Sequence, residues 1–253
     1  MRIWLNTGWE NMSSKENRIR AVVLAGGKGT RLAPYTRLFP KPLMPIGDMP
    51  ILEIMLRQMK RAGVRHVTLT VGYLGKMMRL FFQDGAALGM HIDYAEESRP
   101  LGTSGPLANV EGLDDTFLVT NGDVLTDLDL TELIAYHREQ GAIATIATHK
   151  RKVNINLGVV ELDKQNTVVD YLEKPSIDYL VSMGLYVFEP RVVDYIPKDE
   201  YLDFPDLVKK LVAAGEKVSG YVFKGYWEDL GNPEDYARAT ADFEKDRSRF
   251  LPE

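Results

Sequence analysis

The sequence predicts an α/β fold: a mostly parallel, twisted sheet with helices on both faces, continued by a more irregular lobe. Two observations carry this expectation. Short apolar runs alternate with helical segments of period three to four as far as Lys150, and strands joined by helical crossovers pair in parallel. Polar turns, Gly26–Arg31 and Asn121–Asp123, directly follow two of the apolar runs. That is where open sheets of this kind bind ligands, beyond the carboxyl ends of the strands.

Taken in order, Ala21-Val22-Val23-Leu24 is a buried strand feeding the glycine-rich turn. Pro50–Ala62 is helical, because Ile51, Ile54, Met55, Gln58 and Ala62 step by three and four and Gly63 follows as a stop. His66–Val71 is a strand, Gly75–Gln83 a helix, Met90–Tyr94 a strand, Thr103–Asn109 a short helix and Phe117–Thr120 a buried strand. Asp129 precedes a helix over Leu130–Gln140 and caps it, with Glu132 in the first turn. Ala142–Thr148 returns to strand.

After Lys150 the alternation loosens into strands near Gly158–Leu162, Thr167–Tyr171, Val181–Phe188 and Val218–Phe223, with helices over Phe204–Ala214 and Pro233–Phe243. One domain is expected over residues 19–253, divided functionally near residue 150, with the second part reaching about residue 245. Residues 1–18 lack a period and read as a mobile extension, although Trp4 and Trp9 would allow packing on this or a neighbouring subunit.

Composition closes several function classes. The chain has no cysteine, so disulfides, thiolate metal sites and cysteine nucleophiles are excluded. A net charge of −5 argues against a nucleic-acid binder that relies on a broad basic surface. No apolar run is long enough to span a bilayer, and Asn6, Thr7, Gly8 and Glu10 interrupt anything like a secretory leader, which points to the cytoplasm.

The turn Leu24-Ala25-Gly26-Gly27-Lys28-Gly29-Thr30-Arg31-Leu32 has the makings of an anion cradle. Glycines let backbone N–H groups approach a phosphate, and Lys28 and Arg31 add positive charge. It is not a P-loop, because Gly29 stands where Ser or Thr should follow the lysine and Val22 where the first glycine should be. It is not a dinucleotide fingerprint either, since Leu32 replaces the third glycine. A second segment, Phe39-Pro40-Lys41-Pro42-Leu43-Met44-Pro45-Ile46-Gly47, presents Lys41 from a backbone stiffened by three prolines.

Together, L-A-G-G-x-G-T-R-L and P-K-P-L-x-P-I-G closely resemble the sugar-1-phosphate nucleotidyltransferase family, in pattern its mannose-1-phosphate guanylyltransferase-like branch. The resemblance runs from about Ile19 to Phe243 and implies a Rossmann-like nucleotidyltransferase fold. Leu101-Gly102-Thr103-Ser104-Gly105 resembles the family's base-recognition turn, and Asn121-Gly122-Asp123 its first magnesium carboxylate. Gly158 and the pair Glu173-Lys174 lie in segments like its sugar-binding strands, and Gly184 lies where members contact the sugar. Tyr226-Trp227-Glu228-Asp229-Leu230-Gly231 resembles the segment bearing the second magnesium carboxylate. As the chain ends soon after Phe243, the left-handed β-helix of some relatives is not expected.

The implied reaction is attack of a sugar 1-phosphate oxygen on the α-phosphorus of an NTP, with pyrophosphate leaving. Its nucleophile is already an anion, so catalysis is positioning and charge neutralisation. On the resemblance, Asp123 and Asp229 hold Mg²⁺. Arg31 and Lys28 hold the β- and γ-phosphates, Lys41 neutralises the reacting phosphates, and Lys174 grips the sugar phosphate. Glu173 accepts from sugar hydroxyls, and Trp227 is assigned to the same subsite. Leu24, Ala25, Gly26, Gly27, Gly29, Thr30, Gly102 and Thr103 complete the nucleotide site, and homo-oligomerisation is compatible with this reading.

Glu97 lies five residues before Gly102, where uracil- and thymine-using relatives commonly carry glutamine. An ionised glutamate only accepts hydrogen bonds, and guanine offers two adjacent donors, so Glu97 favours GTP. The sugar stays open, because Leu157 replaces the aromatic residue that commonly precedes Gly158.

Two other function classes remain. Asp127-Leu128-Asp129 is the Asp-x-Asp pattern of many glycosyltransferases that consume a finished nucleotide sugar, and a non-catalytic nucleotide-sugar sensor would also need a phosphate cradle. The four histidines, His66, His91, His137 and His149, fall outside every motif and are not spaced as a metal set, so structural or surface roles are expected.

Overall fold

The computed structural model describes residues 19–252; the expected extension over residues 1–18, with Trp4 and Trp9, lies outside the described residues. The chain opens with β1 (Arg20–Leu24), a ribbon of β2 (Pro45–Ile46) and β3 (Met49–Pro50), α1 (Ile51–Arg61), β4 (His66–Val71), α2 (Gly75–Phe82) and β5 (His91–Glu96). It continues through β6 (Phe117–Asn121), β7 (Val124–Thr126), α3 (Leu130–Gln140), β8 (Ala144–Asn154), β9 (Val159–Leu162), β10 (Val168–Leu172) and β11 (Ser176–Phe188). It closes with α4 (Phe204–Ala213), β12 (Val218–Phe223), β13 (Trp227–Asp229), α5 (Pro233–Lys245) and α6 (Arg247–Phe250).

A seven-stranded sheet has the order β12-β8-β11-β6-β1-β4-β5. All its pairings are parallel except those of β11, which runs antiparallel to both β6 and β8. Because β8, β11 and β12 come from the second half of the chain, both halves share this one sheet. The irregular part reduces to the β9–β10 ribbon, a separate antiparallel pair, and to the distal ends of β8 and β11.

The apolar run at β1 is buried on both sides, which is why it does not alternate with polar residues. Ala21 and Val23 pack with Leu52, Met55, Leu56 and Met59 of α1, Met78 and Phe82 of α2, and Leu133 and Ile134 of α3. Val22 faces the other way, with Phe117, Val119, Phe188 and the α4 residues Phe204, Leu207 and Leu211. A third cluster joins the outer face of α1, through Ile51 and Ile54, to Leu125, Leu230, Phe243 and Phe250. No helix among the described residues is long and apolar enough to cross a membrane.

Two expectations change in detail. The helix expected over Thr103–Asn109 is a 3-10 turn, Gly105–Asn109, and the amides of Thr103, Ser104 and Gly105 at its start are bound to Asp203 and to the Leu202 carbonyl. The strand expected to end at Thr148 continues to Asn154, paired along its outer half with Ser176–Ser182. The register of that pairing shifts between Ser182 and Tyr186, so the irregularity falls within Met183–Leu185.

Candidate active site

A cavity of about 790 Å³ opens beyond the carboxyl ends of β1, β4 and β6. The Ala25 amide donates to Thr70 O at 2.9 Å, carrying the strand pairing one residue into the glycine loop. Residues 24–31 then line the cavity as an uninterrupted stretch, joined by Lys41, Glu97, Gly102, Thr103 and Asp123. The structure therefore gathers all ten expected nucleotide-site residues around one cavity, together with Arg31, Lys41 and Asp123.

Two glycines make its lining tight. A Cβ on Gly26 would come within 2.5 Å of Glu97 Oε1, so the Glu97 carboxylate lies directly over the loop backbone. A Cβ on Gly122 would meet the Pro42 ring at 3.0 Å. The close approach lets the proline-stiffened segment lie against the end of β6, which brings Lys41 to Asp123.

Lys41 is only 8% exposed, and its ammonium is hydrogen-bonded to Asp123 Oδ2. It also lies 3.7 Å from Asp229 Oδ1. Asp229 reaches this point through a short antiparallel pairing in which it faces Val124, with the Leu230 amide donating to Asp123 O at 3.1 Å. Two carboxylates 106 residues apart in the chain thus flank one buried cation. Burial pushes the Asp229 carboxyl up, and the charge of Asp123 raises it further, against the opposing pull of Lys41 and Arg31. Carboxylate oxygens that still repel one another across a lysine are a donor set that a hard divalent cation fits.

Burial also raises the Glu97 carboxyl, while the Leu101 amide, donating to Oε2 at 3.3 Å, opposes the shift. The turn at Leu101–Gly105 is clamped from the far end of the chain. Leu202 O accepts from Ser104 N, Gly105 N and Ser104 Oγ, and Asp203 Oδ1 accepts from the amide and hydroxyl of Thr103. Tyr201 also lines the cavity and donates to Asp203 Oδ2 at 2.7 Å. Partial burial pushes the Asp203 carboxyl up, yet the bonds from Tyr201 and Thr103 outweigh it and hold the group below the usual carboxylate range. Sequence reasoning did not single out Tyr201 or Asp203. Their only local signal is an acidic residue before a helix, which reads as a cap.

The expected sugar-site residues are not on the cavity wall. Gly184 lies against it from behind, since a Cβ there would come within 2.6 Å of Asn121 Nδ2, and Asn121 lines the cavity. Trp227 is buried, donates to Met183 O at 2.9 Å and is covered by the Arg151 guanidinium 4.9 Å from its ring. Gly158, Glu173 and Lys174 belong to the β9–β10 ribbon region, where Glu173 and Lys174 are exposed. Asp127 and Asp129 have other duties. Asp129 caps α3 by accepting from Thr131 N at 2.8 Å, while Asp127 accepts from Tyr226 N at 2.7 Å and pairs with Arg249 at 2.6 Å.

The nucleotidyl transferase family profile matches residues 20–246. The chain is 41% identical over 233 residues to the mannose-1-phosphate guanylyltransferase of Mycobacterium tuberculosis (strain ATCC 25618 / H37Rv), covering 89% of this chain and 65% of that protein. It is 36% identical over 241 residues to the UTP–glucose-1-phosphate uridylyltransferase of Synechocystis sp. (strain ATCC 27184 / PCC 6803 / Kazusa), covering 87% of this chain and 62% of that protein. It thus spans a little under two thirds of the length of these relatives. Among solved structures, HddC from Yersinia pseudotuberculosis complexed with GMP-PN superposes with a TM-score of 0.68 at 25% identity, covering 89% of this chain and 99% of that one.

Proposed function

The chain belongs to the nucleotidyl transferase family, and from that premise we propose that it transfers a nucleotidyl group from an NTP, GTP in preference, to a sugar 1-phosphate. The observation that carries this reading is the convergence of Asp123 and Asp229 on Lys41, with Lys41 and Asp123 lining the glycine-loop cavity.

In the proposed reaction an oxygen of the sugar 1-phosphate forms a bond to the α-phosphorus, the bond from that phosphorus to the bridging oxygen breaks, and pyrophosphate departs. No proton has to be removed from the nucleophile. Residues 24–31 bind the triphosphate, with Lys28 and Arg31 drawing the β- and γ-phosphates away from the point of attack. Lys41, held in place by burial, neutralises charge at the reacting phosphates. Asp123 and Asp229 would hold Mg²⁺, which supplies charge neutralisation and a template for the phosphate oxygens. Residues 19–150 form the nucleotide part and residues 151–245 the sugar part, where Gly158, Glu173, Lys174, Gly184 and Trp227 are assigned to the sugar phosphate. A cytoplasmic setting is part of the same proposal.

The guanine preference rests on Glu97 and is supported by the guanylyltransferase relative and by the neighbour complexed with GMP-PN. Relatives that act on UTP make it a reading to be tested. The test is pyrophosphate release over a matrix of NTPs and sugar 1-phosphates, with and without Mg²⁺. Turnover with GTP above UTP and dTTP supports the reading. No release across the matrix from folded protein overturns the reaction class. The glycosyltransferase alternative would instead show loss of activity in Asp127→Asn and retention in Asp229→Asn.

A further inference from the structure

The histidines are dispersed in the sequence, yet the parallel register brings two of them together. β4 and β5 run side by side with His66 opposite His91 and Thr68 opposite Asp93. Alternate residues of a strand share a face, and neighbouring strands lie about 4.8 Å apart. His66, His91 and Asp93 therefore stand on one face at the amino ends of these strands. The catalytic cavity opens at the opposite, carboxyl ends.

One ligand atom from each of the three residues lies within 4.8 Å of the other two. His66 Nε2 is 2.7 Å from Asp93 Oδ2, and the two imidazoles meet edge to face with centroids 4.6 Å apart. Arg20 donates to the same carboxylate oxygen at 2.9 Å and is itself tied to Thr68 Oγ1 and to the carbonyls of Glu111 and Gly112. Asp93 Oδ1 is buried without a hydrogen-bond partner. A purely structural network of Arg20, His66 and Asp93 leaves that oxygen unsatisfied at a cost in free energy.

We propose that His66, His91 and Asp93 form a binding site for a divalent transition-metal ion of the zinc class, separate from the catalytic cavity. Two imidazole nitrogens and one carboxylate oxygen suit zinc, whereas Mg²⁺ takes oxygen ligands and does not compete. His91 is exposed, so the ion has a path from solvent. Three protein ligands leave a fourth tetrahedral position for water. Arg20 acts as the outer partner that fixes the ligating carboxylate, and its charge makes the site weaker than one without a neighbouring cation. Bound there, the ion would pin the amino ends of β4 and β5 and raise the melting temperature.

Calorimetric titration of the full chain with ZnCl₂, in buffer holding excess Mg²⁺, tests this. One equivalent should bind, and the Co²⁺ form should show the visible bands of an ion with imidazole ligands in a four- or five-coordinate site. His91→Ala and Asp93→Asn should each weaken binding about tenfold or more and abolish the zinc-dependent rise in melting temperature. His149→Ala and Asp123→Asn should bind zinc as the parent does. His91 is exposed at the first position of a strand, so its variant keeps the test valid if Asp93→Asn does not fold. Absence of saturable binding overturns the proposal, as does undiminished affinity in His91→Ala. Loss of binding in Asp123→Asn alone would place the ion in the catalytic cavity and overturn it equally.

Discussion

Asp203 accepts two hydrogen bonds from Thr103, at 2.9 Å from its amide and 3.0 Å from its hydroxyl, across 100 residues of chain. The Thr103 hydroxyl in turn accepts from Phe204 N at 2.9 Å, so it satisfies the first amide of α4, a group that Asp203, at the cap position, leaves free. The turn expected to read the base is thereby fastened to the start of a helix from the other half of the chain. Asp203→Ala should lower stability by about 1–2 kcal/mol in urea denaturation. It should also raise KM for the NTP several-fold while kcat changes little. Asp203→Asn, which keeps a carbonyl acceptor, should recover most of the KM. Parallel loss of kcat and KM effects in both variants would contradict a positioning role.

Asp123→Asn and Asp229→Asn should each lower kcat about 100-fold or more, with melting temperatures near that of the parent. Lys41→Met should also reduce kcat, and it should cost stability as well, because two partly buried carboxylates lose the cation between them. Asp123→Asn should offset part of that stability cost in the double variant, by removing one of the two charges. Pyrophosphate release and thermal denaturation of the four proteins check this pattern.

Glu97 is raised by burial, and an ionised carboxylate is needed to accept from two guanine donors. The proposed preference for GTP over UTP should therefore decline as pH falls through the elevated Glu97 pKa, starting above the ordinary carboxylate range. Glu97→Gln should erode the preference at neutral pH and remove its pH dependence. Because a raised carboxyl pKa opposes folding once the group ionises, Glu97→Gln should match the parent in acid and exceed its stability at neutral pH. The ratio of kcat/KM values for the two nucleotides from pH 5 to 8, with urea midpoints, decides it.

His137 is buried between α3 and the sheet, bonded to Thr145 Oγ1 at 2.8 Å and to Glu189 at 3.1 Å. Burial depresses its pKa despite the opposing pull of Glu189. A depressed histidine contributes stability that is present above the unfolded value of about 6.5 and is lost as pH falls through the folded pKa. Urea midpoints should accordingly drop as pH is lowered from 7.5 to 5. His137→Gln should be less stable at pH 7.5 but should show a shallower acid decline; an unchanged slope would assign that decline to other groups.

Much of the architecture was legible because local periodicity reports burial. α3 has the expected bounds, Leu130–Gln140, with Asp129 at its cap, and β12 has the expected bounds, Val218–Phe223. The β7–β13 and β2–β3 ribbons were not foreseen, since strands of two or three residues carry no period. The antiparallel placement of β11 inside an otherwise parallel sheet was equally invisible, because a strand's own residues do not record the direction of its neighbours.

At the site, the glycine loop and the P-K-P segment announced themselves by composition. Leu24 to Arg31 needed only a strand before them to reach the sheet's carboxyl edge. Asp229 by itself looked like any acidic turn residue, and Asp203 like any helix cap. What raised the first above a turn was the pattern around it, and what distinguished the second was a contact with Thr103.

The sequence by itself thus determined the glycine-rich loop at the strand's end, the stiff presentation of Lys41 and the alternation that builds the sheet, all of which are set by neighbours within a few residues. Tertiary structure alone decided that Asp229 faces Asp123 across Lys41, that Asp203 holds Thr103, and that His66 stands beside His91. Each of these depends on strand order and register, and those are settled by how buried faces fit together across the whole chain, a long-range condition that no local run of residues encodes.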